Sequence, residues 1–212
     1  MFKIGDDNLL EVSDKIIRVK CDKNKKLFGP GNPDSIIIHF TAGSSAESSV
    51  KSLCNPTDDS SAHVVVGRNG IVYQMVPFNT IAWHAGVSEY KGKKWFNNCA
   101  IGIEIDNAGE LTETNGRYVS WFGKVYPSED VFVGIHRNQK TKKYWHAYPD
   151  TQVLIVEELC RALISKYPNI KTILGHEEIA PDRKTDPGPA FPLDSMRISI
   201  FNDKSLDGLN EF

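Results

Sequence analysis

The sequence predicts a single α/β domain in which a mixed central β-sheet is flanked by helices, and two segments carry that prediction. Residues 35–40 form a continuous, isoleucine-rich run, the pattern of a strand that is buried on both faces. Residues 153–167 repeat apolar side chains at spacings of three and four, which is typical of an amphipathic helix. A chain of 212 residues can bury such a core without disulfides or a structural metal, so residues 1–212 are expected to be one domain.

Shorter patterns supply the remaining elements of the predicted sheet. Residues 62–67 and 71–76 are strand-like runs on either side of Asn69-Gly70, a turn pair typical of a β-hairpin. In residues 99–106, isoleucine alternates with other residue types, so that three isoleucines share one face of a strand and Glu104 lies on the other. Three further segments are expected to be an edge strand, a helix and a last strand: residues 16–20, 46–54 and 171–174.

Charge and hydropathy exclude several classes of partner. The 25 basic and 27 acidic side chains are spread along the chain without a basic stripe, so no nucleic-acid partner is expected. No apolar run approaches the roughly 18 residues of a membrane span, and residues 1–20 do not have the pattern of a signal peptide. We therefore expect a cytoplasmic monomer, although export by another route and a removed signal stay open. The four cysteines are far apart, so reduced thiols are expected.

Two of the six histidines occupy positions that favour a ligand site. A lone histidine is usually a hydrogen-bonded structural group, but His39 and His176 lie at the ends of strand-like runs, where ligand sites of α/β sheets gather. Asp186 follows in a loop that could return to them. Two neutral imidazoles and one carboxylate suit Zn²⁺ and leave a fourth position for water, as a catalytic site requires. Spacing alone makes this only a hypothesis, because neither an HExxH motif nor paired cysteines support it.

Five sequence blocks, in order along the chain, resemble the landmarks of one family: residues 36–43, 61–70, 82–88, 101–105 and 175–189. They are similar to the type-2 N-acetylmuramoyl-L-alanine amidases, which include AmpD-like bacterial amidases, bacteriophage amidases and peptidoglycan recognition proteins (PGRPs). The last block is especially similar to the AmpD-like branch. The resemblance covers residues 35–191 with an interruption, and it implies an amidase/PGRP-like fold with a core at residues 35–192.

The resemblance also implies the roles of individual residues. It implies that His39, His176 and Asp186 bind zinc, that Glu104 is the catalytic carboxylate, and that Lys184 faces the reacting carbonyl. Cleavage of an amide requires a nucleophile, a proton shuttle and positive charge beside the oxyanion, and this set supplies all three. Without the resemblance, Glu104 and Lys184 would be interpreted as solvated residues of a strand and a loop.

Trp83 and His84 belong to a block that the family places beside the substrate, and we predict that they bind it. The alternative for Trp83 is a core position, which is more usual for tryptophan.

One segment departs from the pattern of compact AmpD-like chains. Residues 107–149 are expected to be an insertion that contains two or three extra strands, because aromatic and β-branched runs alternate there with turn residues. Two interpretations of its aromatic residues stay open. They could pack the added sheet, or they could extend the groove for glycan or stem peptide.

The sequence thus predicts a zinc-dependent hydrolase of the amide between N-acetylmuramic acid and L-alanine, acting on peptidoglycan or its muropeptide fragments. Two alternatives are a non-catalytic peptidoglycan-binding module and a zinc hydrolase of a different amide. The presence of all three predicted zinc ligands argues against the first. Whether the substrate is intact peptidoglycan or a 1,6-anhydro muropeptide stays open, as does the biological role.

Overall fold

The computed structural model describes residues 2–202, which contain thirteen strands and four α-helices. The strands are β1 (Ile16–Arg18), β2 (Ser35–Phe40), β3 (Val64–Val66), β4 (Val72–Gln74), β5 (Glu89–Tyr90), β6 (Lys93–Lys94), β7 (Ala100–Ile105), β8 (Glu110–Thr114), β9 (Arg117–Val119), β10 (Val125–Tyr126), β11 (Val131–Ile135), β12 (Lys142–His146) and β13 (Thr172–Gly175). The helices are α1 (Ala46–Leu53), α2 (Asp150–Lys166), α3 (His176–Ile179) and α4 (Leu193–Phe201).

Six strands form the central sheet in the order β1-β4-β3-β7-β2-β13. The β3–β4 hairpin is antiparallel and turns at Gly70, whose positive φ of 82° suits this turn. The other neighbouring strands are parallel, which makes the sheet mixed. The predicted α/β class and the predicted mixed central sheet are therefore confirmed.

The two faces of the central sheet bury different residues. Ile36 and Ile38 of β2 belong to a core with α2 and α4, whereas Ile37 packs in a cluster on the opposite face. Because successive side chains of a strand alternate between faces, His39 shares the face of Ile37. The isoleucines of β7 pack toward α2, so Glu104 lies on the same face as His39. The sheet thus places His39 and Glu104 on the face opposite α2 and α4, beside the cluster that contains Ile37.

A second sheet, formed by β8–β12 within residues 110–146, has the strand order β10-β9-β8-β12-β11. It contains five strands, more than the two or three expected for residues 107–149. Alternation failed to reveal β8 and β12 because most of their residues are polar, although the two strands pair with each other in the middle of the sheet. Trp121 and Phe122 lie in the turn between β9 and β10 and not in a strand.

Close backbone approaches join the second sheet to β2 and to the loop between α3 and α4. A Cβ atom at Gly109 would lie 2.8 Å from the Phe40 ring at the end of β2. A Cβ atom at Gly188 would lie 3.1 Å from the ring of Trp145, a fully buried residue of β12. Both glycines also have positive φ angles, so a side chain at either position would be strained and crowded. Among residues 2–202, no helix is long and apolar enough to cross a membrane.

Candidate active site

Three neighbouring parallel strands bring the predicted site residues to one edge of the central sheet. His39 of β2 is paired with Glu104 of β7, and His176 directly follows β13 on the other side of β2. The loop after α3 returns to this edge, where the Glu177 amide donates a hydrogen bond to the Asp186 carbonyl over 2.8 Å. The fold therefore gathers residues that are separated by up to 147 positions in the chain.

His39, His176 and Asp186 form a tight, buried cluster that could hold a metal ion. Asp186 Oδ2 lies 2.9 Å from His39 Nδ1 and 3.0 Å from His176 Nδ1. The two Nδ1 atoms are 2.9 Å apart. Three potential ligand atoms thus converge on a single point.

The outer hydrogen bonds of the imidazoles indicate which nitrogen atoms carry protons. His176 Nε2 lies 3.0 Å from the Ala85 carbonyl, which can only accept, so the proton of a neutral ring is on Nε2. His84 Nε2 likewise donates to the Ala100 carbonyl, and its Nδ1 then accepts from His39 Nε2 over 3.0 Å. In the neutral tautomers that these hydrogen bonds select, both Nδ1 atoms of the cluster carry a lone pair. Three lone pairs that face one another can be satisfied by a cation, and this donor set fits zinc.

The protonation equilibria of the cluster agree with this assignment. Burial, together with the neighbouring His176, lowers the pKa of His39 from 6.5 to about 4, although Asp186 opposes the change. Burial by itself would raise the pKa of Asp186, but the neighbouring imidazoles of His176 and His39 hold it below its usual range. At neutral pH, His39 is therefore neutral and Asp186 is ionised, which are the forms that bind metals.

His84 is held against β7 by a position that admits only glycine. A Cβ atom at Gly102 would lie 2.4 Å from the His84 ring. Burial and then the neighbouring His39 lower the pKa of His84 well below 6.5, so its ring is neutral and serves as the hydrogen-bond partner of His39. The sequence did not predict this contact. Gly102, two residues before Glu104, was nevertheless a signal, because a glycine within a strand often marks the close approach of another group.

Glu104 is a buried carboxylate beside the cluster. It is 9% exposed, and its Oε2 atom has no hydrogen-bond partner among the described residues. Burial, and then the charge of Asp186, raises the pKa of Glu104 well above its usual range, while Lys184 opposes the rise. A carboxyl group with a raised pKa can both accept and donate a proton near neutral pH.

A cleft of about 600 Å³ opens over these residues. Its lining includes His39, Glu104, Asp186 and the half-buried Lys184. Arg183 also borders the cleft, but its guanidinium donates to the Ala85 and Val87 carbonyls over 2.9 and 2.8 Å. Arg183 therefore holds the loop in place, and Lys184 is the lysine positioned toward the cluster.

The two predicted substrate-binding residues differ in position. His84 lines the cleft, whereas Trp83 is 43% exposed and is not among the residues that line it. The Trp83 backbone amide donates to the Ser61 hydroxyl. A contact of either side chain with substrate stays a prediction. Trp121 and Phe122 of the second sheet do line the cleft. The sequence left two interpretations of the aromatic residues in the insertion, packing of the added sheet or extension of the groove, and this position fits the second.

Fold and site together define an α/β protein with a His, His, Asp site able to hold a metal ion beside a buried carboxylate. The family model described as N-acetylmuramoyl-L-alanine amidase matches residues 29–189, and the chain belongs to this family. The predicted family resemblance is therefore confirmed.

Curated relatives include 1,6-anhydro-N-acetylmuramyl-L-alanine amidase AmpD of Escherichia coli, which is 37% identical over 141 residues, or 66% of this chain and 58% of the relative. N-acetylmuramoyl-L-alanine amidase AmiD of E. coli is 31% identical over 171 residues, covering 76% of this chain and 51% of AmiD. The chain thus spans little more than half the length of these relatives.

Solved structures show the same fold. A selenomethionine AmpD derivative superposes with a TM-score of 0.62 at 25% identity, covering 92% of this chain and 97% of that one. E. coli AmiD in complex with anhydro-N-acetylmuramic acid-L-Ala-D-gamma-Glu-L-Lys superposes with a TM-score of 0.59 at 29% identity, covering 79% and 56% of the two chains.

Proposed function

We propose that this chain is a zinc-dependent amidase that hydrolyses the bond between the lactyl group of N-acetylmuramic acid and L-alanine. The observation that carries the proposal is the convergence of three unprotonated ligand atoms beside a buried carboxylate of raised pKa. The names of AmpD and AmiD, and the muropeptide bound to AmiD, support the substrate class. Peptidoglycan and its soluble muropeptide fragments are both candidate substrates.

The ligands His39, His176 and Asp186 would hold zinc in this proposal. When bound, zinc supplies Lewis-acid polarisation of a carbonyl and lowers the pKa of a water molecule. The chain's own contribution is to orient the ligand atoms. His84 and the Ala85 carbonyl accept hydrogen bonds from the Nε2 atoms of His39 and His176, which directs both Nδ1 atoms toward the metal position.

Glu104 and Lys184 act on the substrate in this proposal without binding the metal. Glu104 takes a proton from the attacking water and delivers it to the leaving amine of L-alanine, a shuttle that its raised pKa favours. Lys184 borders the same cleft and stabilises the negative charge that develops on the carbonyl oxygen. Acid–base catalysis and oxyanion stabilisation are thereby assigned to two residues that can be tested separately.

One experiment tests metal, bond and substrate together. The zinc-loaded protein is incubated with N-acetylmuramyl-L-Ala-D-γ-Glu-L-Lys and with its 1,6-anhydro form, with and without chelator, and products are identified by mass spectrometry. We expect the free tripeptide and the free sugar acid, and loss of both products with chelator. Binding without cleavage would instead support a peptidoglycan-binding module. Cleavage at another amide would support a hydrolase of different specificity.

A further inference from the structure

The turn between β9 and β10, residues 120–124, brings an aromatic pair to the cleft. Trp121 and Phe122 line the same cleft as His39 and Glu104, although they belong to the second sheet. The Trp121 side chain is 77% exposed. A large aromatic surface left open beside a catalytic cluster favours a ligand-binding role, because its burial by a ligand releases hydration water at little cost in side-chain freedom.

The exposed indole is nevertheless fixed in position. Its Nε1–H donates to the Ala42 carbonyl over 2.7 Å, and the Phe122 ring packs against it edge-on at a centroid distance of 5.6 Å. Ala42 has a φ of 48°, a left-handed conformation that non-glycine residues seldom adopt, in the loop directly after β2. Ser120 closes the turn by bonding with Lys124 through backbone and hydroxyl groups. The indole therefore loses little freedom when a ligand covers it.

The cleft wall next to Trp121 is neutral and rich in hydroxyl groups. We call it the serine wall, formed by α1 and the loop before it, and it consists of Ser44, Ser48, Ser49 and Ser52. Among the described residues that line the cleft, the charged side chains belong to β7 and to residues 183–186, near the candidate metal ligands. The hydroxyls of Ser48 and Ser49 donate to the Ser45 carbonyl and that of Ser52 donates to Asp58, so they present lone pairs that can accept from the hydroxyls of a sugar. A stem peptide carries carboxylates and would instead favour the end of the cleft that holds Arg183 and Lys184.

We propose that Trp121 is a substrate-binding residue that stacks on the pyranose ring of N-acetylmuramic acid, with the serine wall contacting the hydroxyls of the sugar. This assignment rests on the proposed function and deepens it, because it places the sugar on the Trp121 side of the scissile amide. The insertion proposed for residues 107–149 then contributes affinity for sugar, while the central sheet contributes the chemistry.

The test compares two substrates and three variants. N-acetylmuramyl-L-Ala-D-γ-Glu-L-Lys carries the sugar ring, and N-lactyl-L-Ala-D-γ-Glu-L-Lys has the same amide without it. Trp121→Ala should raise KM for the sugar-bearing substrate on the order of tenfold, because the sugar no longer buries the apolar area of one ring face. The variant should leave kcat nearly unchanged. The same variant should leave the kinetics of the lactyl peptide unchanged. Trp121→Phe keeps an aromatic face and should retain most of the affinity.

Phe132→Ala is the matched control, because Phe132 is an exposed aromatic of the same sheet that does not line the cleft. Its kinetics on both substrates should equal those of the wild type. An unchanged KM in Trp121→Ala, or an equal loss on both substrates, would overturn the sugar contact.

If the wild type cleaves neither substrate, the proposed function fails, and calorimetric binding of N-acetylmuramic acid to wild type and Trp121→Ala still decides the inference. Tighter binding by the wild type would support the sugar contact, and equal binding would overturn it.

Discussion

The central sheet and the second sheet differ in how they bury their strands. β2 and β7 are covered on both faces, and Ile36, Ile38 and Ile103 are fully buried. The edge strand β11 of the second sheet leaves Phe132 and Val133 40% and 53% exposed. A doubly covered sheet holds side chains in fixed positions because close packing leaves no alternative arrangement. The comparison indicates that the central sheet positions the candidate site residues, whereas the second sheet shapes the cleft around them.

The second sheet nevertheless contacts the loop that carries Asp186. Glu177, next to His176 in the chain, accepts a hydrogen bond from His136 over 2.6 Å and from the Gly188 amide over 3.1 Å. Arg137 also pairs with Glu177, which is nearly fully buried. The second sheet therefore stabilises this loop through Glu177, and its turn at Trp121 lines the cleft.

The largest effect is expected at the candidate metal site. Asp186→Ala should lose its zinc and lose activity by roughly 10³-fold or more, because two imidazoles alone leave the metal under-coordinated. Metal analysis and amide hydrolysis measure the two losses. Asp182→Ala, an exposed carboxylate of the same loop, is the control and should keep both. Full zinc occupancy in Asp186→Ala would refute the ligand assignment.

Glu104→Ala should separate chemistry from metal binding. We expect a decrease in kcat of about 10²–10⁴-fold with zinc retained, because the proton shuttle is lost while the ligands stay in place. The acidic limb of the kcat/KM profile should also disappear, since the group that must be ionised is gone. Near-normal kcat in the zinc-loaded variant would assign the shuttle to another group, and His84 would be the next residue to replace.

Lys184→Ala should reduce kcat by about 10²–10³-fold, the loss typical of one oxyanion partner among two. KM should change far less, because the interaction strengthens mainly in the transition state. In contrast to Glu104→Ala, this variant should keep the acidic limb of the pH profile. A large change in KM with unchanged kcat would show that Lys184 binds the ground state instead.

Truncations in the two sheets should differ sharply in their effect on stability. Ile103→Ala removes a fully buried side chain of β7 and should lower the free energy of unfolding by about 2–5 kcal/mol. Val133→Ala removes a half-exposed side chain of β11 and should cost less than about 0.5 kcal/mol. Urea unfolding of both variants measures the contrast. Equal losses would show that the second sheet is packed as tightly as the central one.

His63 should make the central sheet sensitive to acid. It accepts a hydrogen bond from the Gly102 amide and donates to the Thr80 carbonyl, and burial lowers its pKa from 6.5 to about 4. As pH falls below 6.5, the unfolded state binds the proton first, so stability is lost progressively until pH reaches about 4. This histidine alone should cost about 2 kcal/mol between about pH 7 and pH 5. Urea unfolding at both pH values measures the loss, and NMR titration of the native ring near pH 6.5 would contradict it.

Local sequence patterns were sufficient for the elements of the central sheet. The isoleucine runs of β2 and β7, the Asn69-Gly70 turn and the apolar stripe of α2 each depend on residues that are close together in the chain. The family blocks added the candidate ligands His39, His176 and Asp186, because those motifs are short and contiguous. These features follow from the sequence by itself, since each reflects a periodicity of two or 3.6 residues or a compact motif.

Tertiary structure alone decided the hydrogen-bond partners and pKa values of the site residues, and which residues line the cleft. The hydrogen bond from His39 to His84 joins residues 45 positions apart, and it depends on the space that Gly102 leaves on β7. Trp121 reaches the cleft only because β9 and β10 form a turn beside Ala42, which lies 79 positions earlier in the chain. Contacts between distant segments leave no periodic trace in a single sequence. The direction of each lone pair, the raised pKa of Glu104 and the placement of the exposed indole are therefore products of packing.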